Sequence, residues 1–170
     1  MEVMTMTTDG VQQLVIFSLA EESYGVDIGT VSEIIRLQEI TRVPRTPTFV
    51  EGVINLRGKV IPVVNLRTIF YLPAAEQTRE SRIVVVDLGG QQTGIMVDAV
   101  TEVLRIAAES VEPPSSVITG ADSDYLLGIA KVEGKMITLL DLEKVLSPEQ
   151  AEKFMRMELP DNENEIISAE

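Results

Sequence analysis

The sequence predicts a mainly β protein made of two small linked barrels that are related by internal duplication. Short runs rich in Val and Ile recur along its 170 residues, and two segments of the first half match two segments of the second half in the same order. Each half contains several short strands, too many for one flat sheet of that size. A small closed barrel accommodates them better, because closure removes exposed strand edges.

Five runs have the length and composition of strands and are bounded by Gly, Pro or charged residues. They cover residues 14–19, 52–56, 59–66, 82–88 and 135–142. Each run is too short for a helix of ordinary length, and Val and Ile favour strands. These runs therefore supply the first assignment of β structure.

The internal repeat appears when the sequence is aligned with itself. Residues 14–35 match residues 83–104 at an offset of 69, and residues 52–70 match residues 128–146 at an offset of 76. Matches this weak also arise by chance among β-rich segments, but two in the same order favour duplication. We expect one domain over residues 1–170, with a first barrel at 12–72 and a second at 82–146. The identical pairs include Gly25/Gly94, Val31/Val100, Glu33/Glu102, Gly52/Gly128 and Gly58/Gly134.

The connections follow from local chemistry. Residues 72–81 lose the hydrophobic pattern and should link the halves. Gly58 and Gly134 each lie between two predicted strands, where a tight hairpin requires positive φ. Residues 147–159 should form a helix with Ser147 as N-cap, Gln150 completing a capping box and the apolar side chains at 151, 154 and 155 facing the barrels. Residues 160–170 are polar and acidic and are expected to form a disordered tail.

Composition excludes several classes of function. With 14 basic and 27 acidic residues, the net charge of −13 disfavours binding to nucleic acid or to anionic lipid. No signal peptide or membrane span is evident, which indicates a cytoplasmic protein. Cysteine and histidine are absent, so thiol chemistry, most zinc sites and His-based catalysis are excluded.

No motif in the chain predicts an enzyme or a metal site. The segment 52–59 resembles a phosphate-binding loop, but its first glycine is misplaced and Lys59 is followed by Val60 rather than Ser or Thr. Asp122 and Asp124 lack the Gly and Glu that a calcium loop requires at the correct spacing. We expect a non-enzymatic protein without cofactors. An enzyme with an unusual carboxylate site and a nucleic-acid-binding barrel remain alternatives.

Charge breaks the symmetry of the two halves. Residues 34–68 carry six basic side chains against Glu39 and Glu51, within an acidic protein. Arg57 at the first predicted hairpin corresponds to Glu133 at the second. Farther along the same repeat, Arg67 corresponds to Glu143. Opposite charges on equivalent corners are typical of a connector that meets two partners. A solvated face or internal ion pairs could also explain these charges. The basic residues are Arg36, Arg42, Arg45, Arg57, Lys59 and Arg67.

The segment GVINLRGKVIPVVNLR (52–67) resembles the signature of CheW-type chemotaxis coupling proteins, and the resemblance extends in order and spacing over nearly the whole chain. It implies two SH3-like five-stranded barrels and a C-terminal helix. It also implies a scaffold that couples methyl-accepting chemoreceptors to the regulatory domain of a CheA-type histidine kinase at the inner face of the membrane. The same fold occurs within CheV-like proteins and within the kinase, but a stand-alone coupler is simpler for 170 residues.

Matched position by position, the resemblance places receptor-contacting residues in both halves. The valines could line a groove for a helical receptor tip or belong to the core, and the glycines could act only through backbone shape. No residues are assigned to kinase docking. The receptor-contacting positions are Val31, Glu33, Gly52, Arg57, Gly94, Val100 and Val103.

Overall fold

Two β-sheets make up most of the computed structural model, which describes residues 10–88, 90–113 and 125–157. One sheet, here called sheet A, has the strand order β8-β1-β2-β11-β10-β9, and the other, sheet B, has the order β3-β6-β7-β5-β4. The elements are β1 (Val11–Leu19), β2 (Glu22–Asp27), β3 (Val31–Arg36), β4 (Val50–Leu56), β5 (Lys59–Asn65), α1 (Leu66–Ile69), β6 (Arg82–Leu88), β7 (Gln91–Val97), β8 (Ala99–Ala107), β9 (Val111–Glu112), β10 (Leu126–Val132), β11 (Lys135–Leu140) and α2 (Pro148–Arg156).

The two sheets are equivalent under the internal repeat. The sequence alignment relates β1, β2 and β3 to β6, β7 and β8, and it relates β4 and β5 to β10 and β11. Applying these relations to the order of sheet B gives β8-β1-β2-β11-β10, which is the order of sheet A without β9. The fold is therefore two SH3-like barrels related by duplication, as the sequence predicts.

Irregularities of the strands repeat as well. In sheet B the β4–β5 register shifts between Val50 and Gly52, and in sheet A the β10–β11 register shifts between Leu126 and Gly128, at the same offset of 76. Bulges bend a strand and increase its twist, so matched bulges give the two sheets the same curvature. The duplication thus extends to the shape of the barrels.

Each barrel contains strands from both halves of the chain. In sheet A, β1 pairs with β8 and β2 runs parallel to β11, whereas in sheet B, β5 runs parallel to β7. The chain changes sheet between β2 and β3 and again at Asp98, between β7 and β8. The barrels are therefore not the contiguous segments 12–72 and 82–146, because strands that are adjacent in sequence pair with partners from the other repeat.

The three largest of four clusters of buried side chains hold this arrangement together. One lies within sheet A and includes Leu14 and Leu139; another lies within sheet B and includes their repeat equivalents Ile83 and Val63. The third and largest cluster contains residues of both sheets and of both helices. Strands β1 and β6 alternate between a sheet cluster and the shared cluster, so they bury both faces and have nearly continuous apolar sequences.

The barrels close through the segment that follows β3 or β8. After β3 the chain reaches Thr41, whose backbone exchanges N–H···O bonds of 2.9 and 2.8 Å with Val53 of β4. After β8 the equivalent contact joins Glu112 of β9 to Ile129 of β10. The short strand β9 is thus the counterpart of the Thr41 bridge and completes a five-stranded barrel rather than adding a new layer.

Helix α2 begins as the sequence predicts. The Ser147 side chain accepts from the Gln150 amide at 3.1 Å and the Gln150 side chain accepts from the Ser147 amide at 2.9 Å, which forms the capping box. Phe154 is 3% exposed in the shared core, but Met155 is 60% exposed, so the prediction that Met155 faces the barrels is wrong. Residues 158–159 of the predicted helix and the tail at 160–170 lie outside the described residues.

A partly buried ion pair between Arg67 and Asp98 stabilises the point where the chain crosses between the sheets. Nε and Nη2 of Arg67 donate to the two carboxylate oxygens of Asp98 at 3.0 and 2.7 Å, and Nη1 donates to the carbonyl of Pro73 at 2.6 Å. Asp98 also accepts from the amide of Ala20 in the β1–β2 turn at 2.8 Å. Arg67 therefore connects α1, the sheet crossing and the start of the linker, and its charge has a structural role.

Candidate functional site

The turn between β4 and β5 projects Arg57 away from the barrel. Arg57 and Gly58 are its two central residues, with φ of 53° and 85°, as a two-residue type I′ hairpin requires. The side chain of Asn55 accepts from the Gly58 amide at 2.7 Å and stabilises the turn. The Arg57 side chain is 72% exposed on this stiff support. The predicted requirement for positive φ at Gly58 is confirmed.

Arg57 forms a two-pronged ion pair with Glu33. Its Nη1 and Nη2 donate to Oε1 and Oε2 of Glu33, whose side chain is 25% exposed. This hydrogen bond raises the pKa of Arg57, which stays protonated throughout the physiological range. Because Glu33 lies on β3 and Arg57 on the β4–β5 turn, the pair joins the two outermost strands of sheet B. Gln38 reinforces this junction by donating to the Asn55 carbonyl at 3.1 Å.

The equivalent corner of sheet A has the same backbone and the opposite charge. Glu133 and Gly134 have φ of 51° and 83°, close to the values at Arg57 and Gly58. The equivalent of Glu33 is Glu102 on β8, and both Glu102 and Glu133 are exposed. One barrel therefore presents an arginine–glutamate pair where the other presents two carboxylates. The charge reversal noted in the sequence falls on structurally matched corners.

The three candidate valines have different environments. Val31 is the first residue of β3 and Val100 the second residue of β8; both are half-buried and pack against the shared core. Val103 is 49% exposed on β8, and its repeat equivalent on β3, Ile34, is 38% exposed. Val103 is thus accessible to a partner, whereas Val31 and Val100 contribute to packing with part of their surface. Ile34 was missed by reasoning from the sequence, although the alignment at offset 69 pairs it with Val103.

The two candidate glycines are buried and shape the backbone. A Cβ at Gly94 would lie 2.6 Å from Cγ2 of the fully buried Ile83. A Cβ at Gly52, where φ is 151°, would overlap the carbonyl oxygen of Thr41 in the closing segment. Gly52 therefore permits barrel closure and Gly94 permits tight packing in sheet B.

The structure brings some of the candidate residues together. Val31, Glu33, Gly52, Arg57 and Gly94 all belong to sheet B or its hairpin, with Glu33 and Arg57 in direct contact. Val100 and Val103 belong to β8 of sheet A, and Val100 meets the same shared core as Val31. The exposed part of this set is charged at Arg57 and apolar at Val103.

Two properties of the described residues concern metal binding and membrane-spanning helices. Among residues 10–88, 90–113 and 125–157, no three acidic side chains gather closely enough to hold a metal ion. Neither helix in these ranges is long and apolar enough to cross a bilayer.

Comparisons with known proteins identify the family. The model of the CheW-like domain matches residues 13–150. The chain is 36% identical over 139 residues to the chemotaxis protein CheW of Klebsiella aerogenes, covering 82% of this chain and 84% of that protein. It is 34% identical over 151 residues to the chemotaxis protein CheW of Treponema pallidum, covering 85% and 88%.

A solved structure agrees in both fold and sequence. The scaffolding protein TtCheW of Thermoanaerobacter tengcongensis superimposes with a TM-score of 0.74 at 43% identity, covering 82% of this chain and 94% of that one. The chain belongs to the CheW-like family and has the fold of a non-catalytic chemotaxis adaptor.

Proposed function

We propose that this protein is a scaffold that couples methyl-accepting chemoreceptors to a CheA-type histidine kinase, without catalysing a reaction itself. The observation that carries the proposal is the pair of matched hairpin corners with opposite charge, Arg57 with Glu33 on one barrel and Glu133 with Glu102 on the other. Equivalent backbones with different charges suit a connector whose two barrels meet different surfaces. Membership of the CheW-like family supports the same role.

The receptor-binding surface of this proposal combines a charged corner of sheet B with an exposed apolar residue on strand β8 of sheet A. Arg57 provides a rigid, exposed guanidinium, and Val103 provides an exposed apolar side chain for a helical receptor tip. Glu33 orients Arg57, while Val31 and Val100 support the strands from the shared core. Gly52 and Gly94 act through barrel closure and packing rather than by direct contact. The protein would work in the cytoplasm, at receptor arrays on the inner face of the membrane.

The first experiment measures coupling. The autophosphorylation rate of a CheA-type kinase is recorded with receptor cytoplasmic fragments, with and without this protein. A rise that requires all three components supports the proposal. Absence of both a rise and binding would refute it and leave a double-barrel interaction module.

A charge-reversal variant then tests the corner. Arg57→Glu gives sheet B the two carboxylates of sheet A, so receptor affinity should fall while the fold and kinase affinity are retained. Because the Arg57 side chain is exposed, its ion pair contributes little to stability and its loss should leave the fold intact. Lys59→Glu is the matched control, since Lys59 is an exposed cation of the same hairpin and makes the same change in charge. Equal losses in both variants would contradict a specific role for Arg57.

The exchanged pair Arg57→Glu with Glu33→Arg separates direct contact from support. If the receptor contacts Arg57, the exchanged variant keeps an ion pair but stays defective, because the guanidinium now projects from β3. Recovery of full receptor affinity would show that only closure of the barrel matters and would exclude Arg57 as a contact.

A further inference from the structure

A pocket at the other end of β3 is lined by three arginines. Arg36, Arg79 and Arg82 surround an open cavity of about 510 Å³, together with Leu37, Thr78 and Ser81. Within the described part of the chain, no carboxylate lines this cavity. Among the described residues none of the three guanidinium groups forms an ion pair, in a chain whose net charge is −13.

The arginines are held together by the backbone. Arg36 ends β3 and Arg82 begins β6, and the two are direct partners in the antiparallel ladder. Like charges directly opposite each other destabilise a sheet, so this pairing has a cost in the absence of an anion. Arg79 lies in a tight turn in which the Thr78 amide donates to the Ser81 hydroxyl oxygen at 2.9 Å. Arg82 donates to the carbonyls of Arg79 and Ser81 at 2.8 Å each, which fixes the turn against the strand.

The internal repeat shows that this cluster is not required by the fold. The equivalents of Arg36 and Arg82 are Arg105 and Gln13, which are also direct partners across β8 and β1. The same ladder position in sheet A therefore carries one cation, which shows that the fold does not require two. The second and third arginines are specific to the end of sheet B.

We propose that Arg36, Arg79 and Arg82 form a binding site for a compact oxyanion of the phosphate class, either free or carried on a side chain of a partner. A carboxylate carries one charge on two acceptor oxygens, whereas a phosphate concentrates about two charges and three acceptor oxygens in one group. Three arginines around one small cavity match that demand. An extended polyanion fits poorly, because the surrounding protein is acidic.

Binding is tested on the full chain with inorganic phosphate, by calorimetry and by the thermal unfolding midpoint at constant ionic strength with chloride as reference. Phosphate should bind and should raise the unfolding midpoint. Arg36→Gln and Arg79→Gln should each weaken binding by about tenfold or more, the loss expected for a charge-assisted hydrogen bond. Arg105→Gln, the repeat-matched control on sheet A, should bind phosphate as the unmodified protein does.

Stability in chloride separates binding from folding. Arg36→Gln removes a like-charge pair, so its unfolding midpoint should be no lower than that of the unmodified protein.

Succinate tests the carboxylate alternative, and equal affinity for succinate would overturn the assignment to the phosphate class. N-acetyl-phosphoserine amide distinguishes the source, since tighter binding than inorganic phosphate indicates a phosphorylated side chain and weaker binding indicates a free anion. No response to phosphate, or equal losses in Arg36→Gln and Arg105→Gln, would overturn the site.

Discussion

Replacing Arg67 by methionine should destabilise the protein by about 2 kcal/mol, because this change removes the ion pair at the sheet crossing and keeps most of the apolar stem. Exposed pairs contribute about 0–1 kcal/mol, whereas removing one partner of a buried pair costs about 3–5 kcal/mol. The side chains of Arg67 and Asp98 are 15% and 34% exposed, which places this pair between those limits. Asp98 keeps its bond from the Ala20 amide, which reduces the loss.

The assay is urea unfolding of Arg67→Met, Asp98→Asn and the double variant, which together form a double-mutant cycle. The hydrogen bond from Arg67 is the largest cause that lowers the pKa of Asp98, with burial opposing it. A lowered pKa in the folded state means that this stabilisation is fully present above about pH 4 and is lost as the pH falls through the folded-state pKa. The difference in stability between the unmodified protein and Arg67→Met should therefore shrink in acid.

The control is Arg156→Met on helix α2. Arg156 pairs with Glu152 at 2.8 Å, but these side chains are 78% and 62% exposed, so the expected loss is about 0.3–0.5 kcal/mol. Additive effects of Arg67→Met and Asp98→Asn would refute the reasoning. So would a loss in Arg67→Met that is equal to that in the control, or one that does not change between neutral and acidic pH.

Three further predictions concern the packing of sheet B, the closure of its barrel and the cap of helix α2. Gly94→Ala should lower the free energy of unfolding in urea by about 1–3 kcal/mol, because its Cβ meets a fully buried side chain at 2.6 Å. Gly25→Ala, the repeat equivalent with its nearest neighbour at 3.1 Å, should lower it less. Equal losses would contradict the packing argument. Gly52→Ala should accelerate hydrogen exchange at the bridge that closes sheet B. Gly58→Ala has a strained φ of 85° but meets no described neighbour within 4 Å, so it should affect its own turn and change exchange at the bridge less. Ser147→Ala should lower stability by about 1 kcal/mol by removing the cap of α2, and an unchanged unfolding midpoint would show that the capping box contributes nothing.

Strands β1, β4, β5, β6 and β11 and the internal symmetry could be predicted from the sequence because they depend on local patterns. Val- and Ile-rich runs mark these strands, Gly58 and Gly134 mark the β4–β5 and β10–β11 turns, and the offsets of 69 and 76 match strands that occupy equivalent places in the two sheets. The exchange of strands between barrels could not be predicted in this way. Pairing of β1 with β8 depends on contacts between residues about half a chain apart, and hydrophobic pattern alone does not select between equivalent partners from two repeats.

The candidate site was predictable in its charge but not in its contacts. The sequence marks Arg57 as an exposed residue at a turn, and the structure confirms that position. Its pairing with Glu33 depends on closure of the barrel, which brings the outer strands together. Arg67 shows the same charge reversal in sequence, yet it is held by Asp98, 31 positions away. A reversed charge between repeats therefore identifies an asymmetry, and only the fold shows whether it faces a partner.

The exchange of strands has a consequence for the linker at 72–81. A chain cut within this linker would yield two fragments, and neither fragment would hold a complete sheet, since β1 and β2 belong with β8, β10 and β11 while β6 and β7 belong with β3, β4 and β5. The fragments would remain bound through both sheets and the shared core. Besides carrying Arg79 and the Pro73 carbonyl, the linker therefore sets the local concentration of the two pieces. Because each barrel contains strands from both pieces, the protein behaves as one cooperative unit.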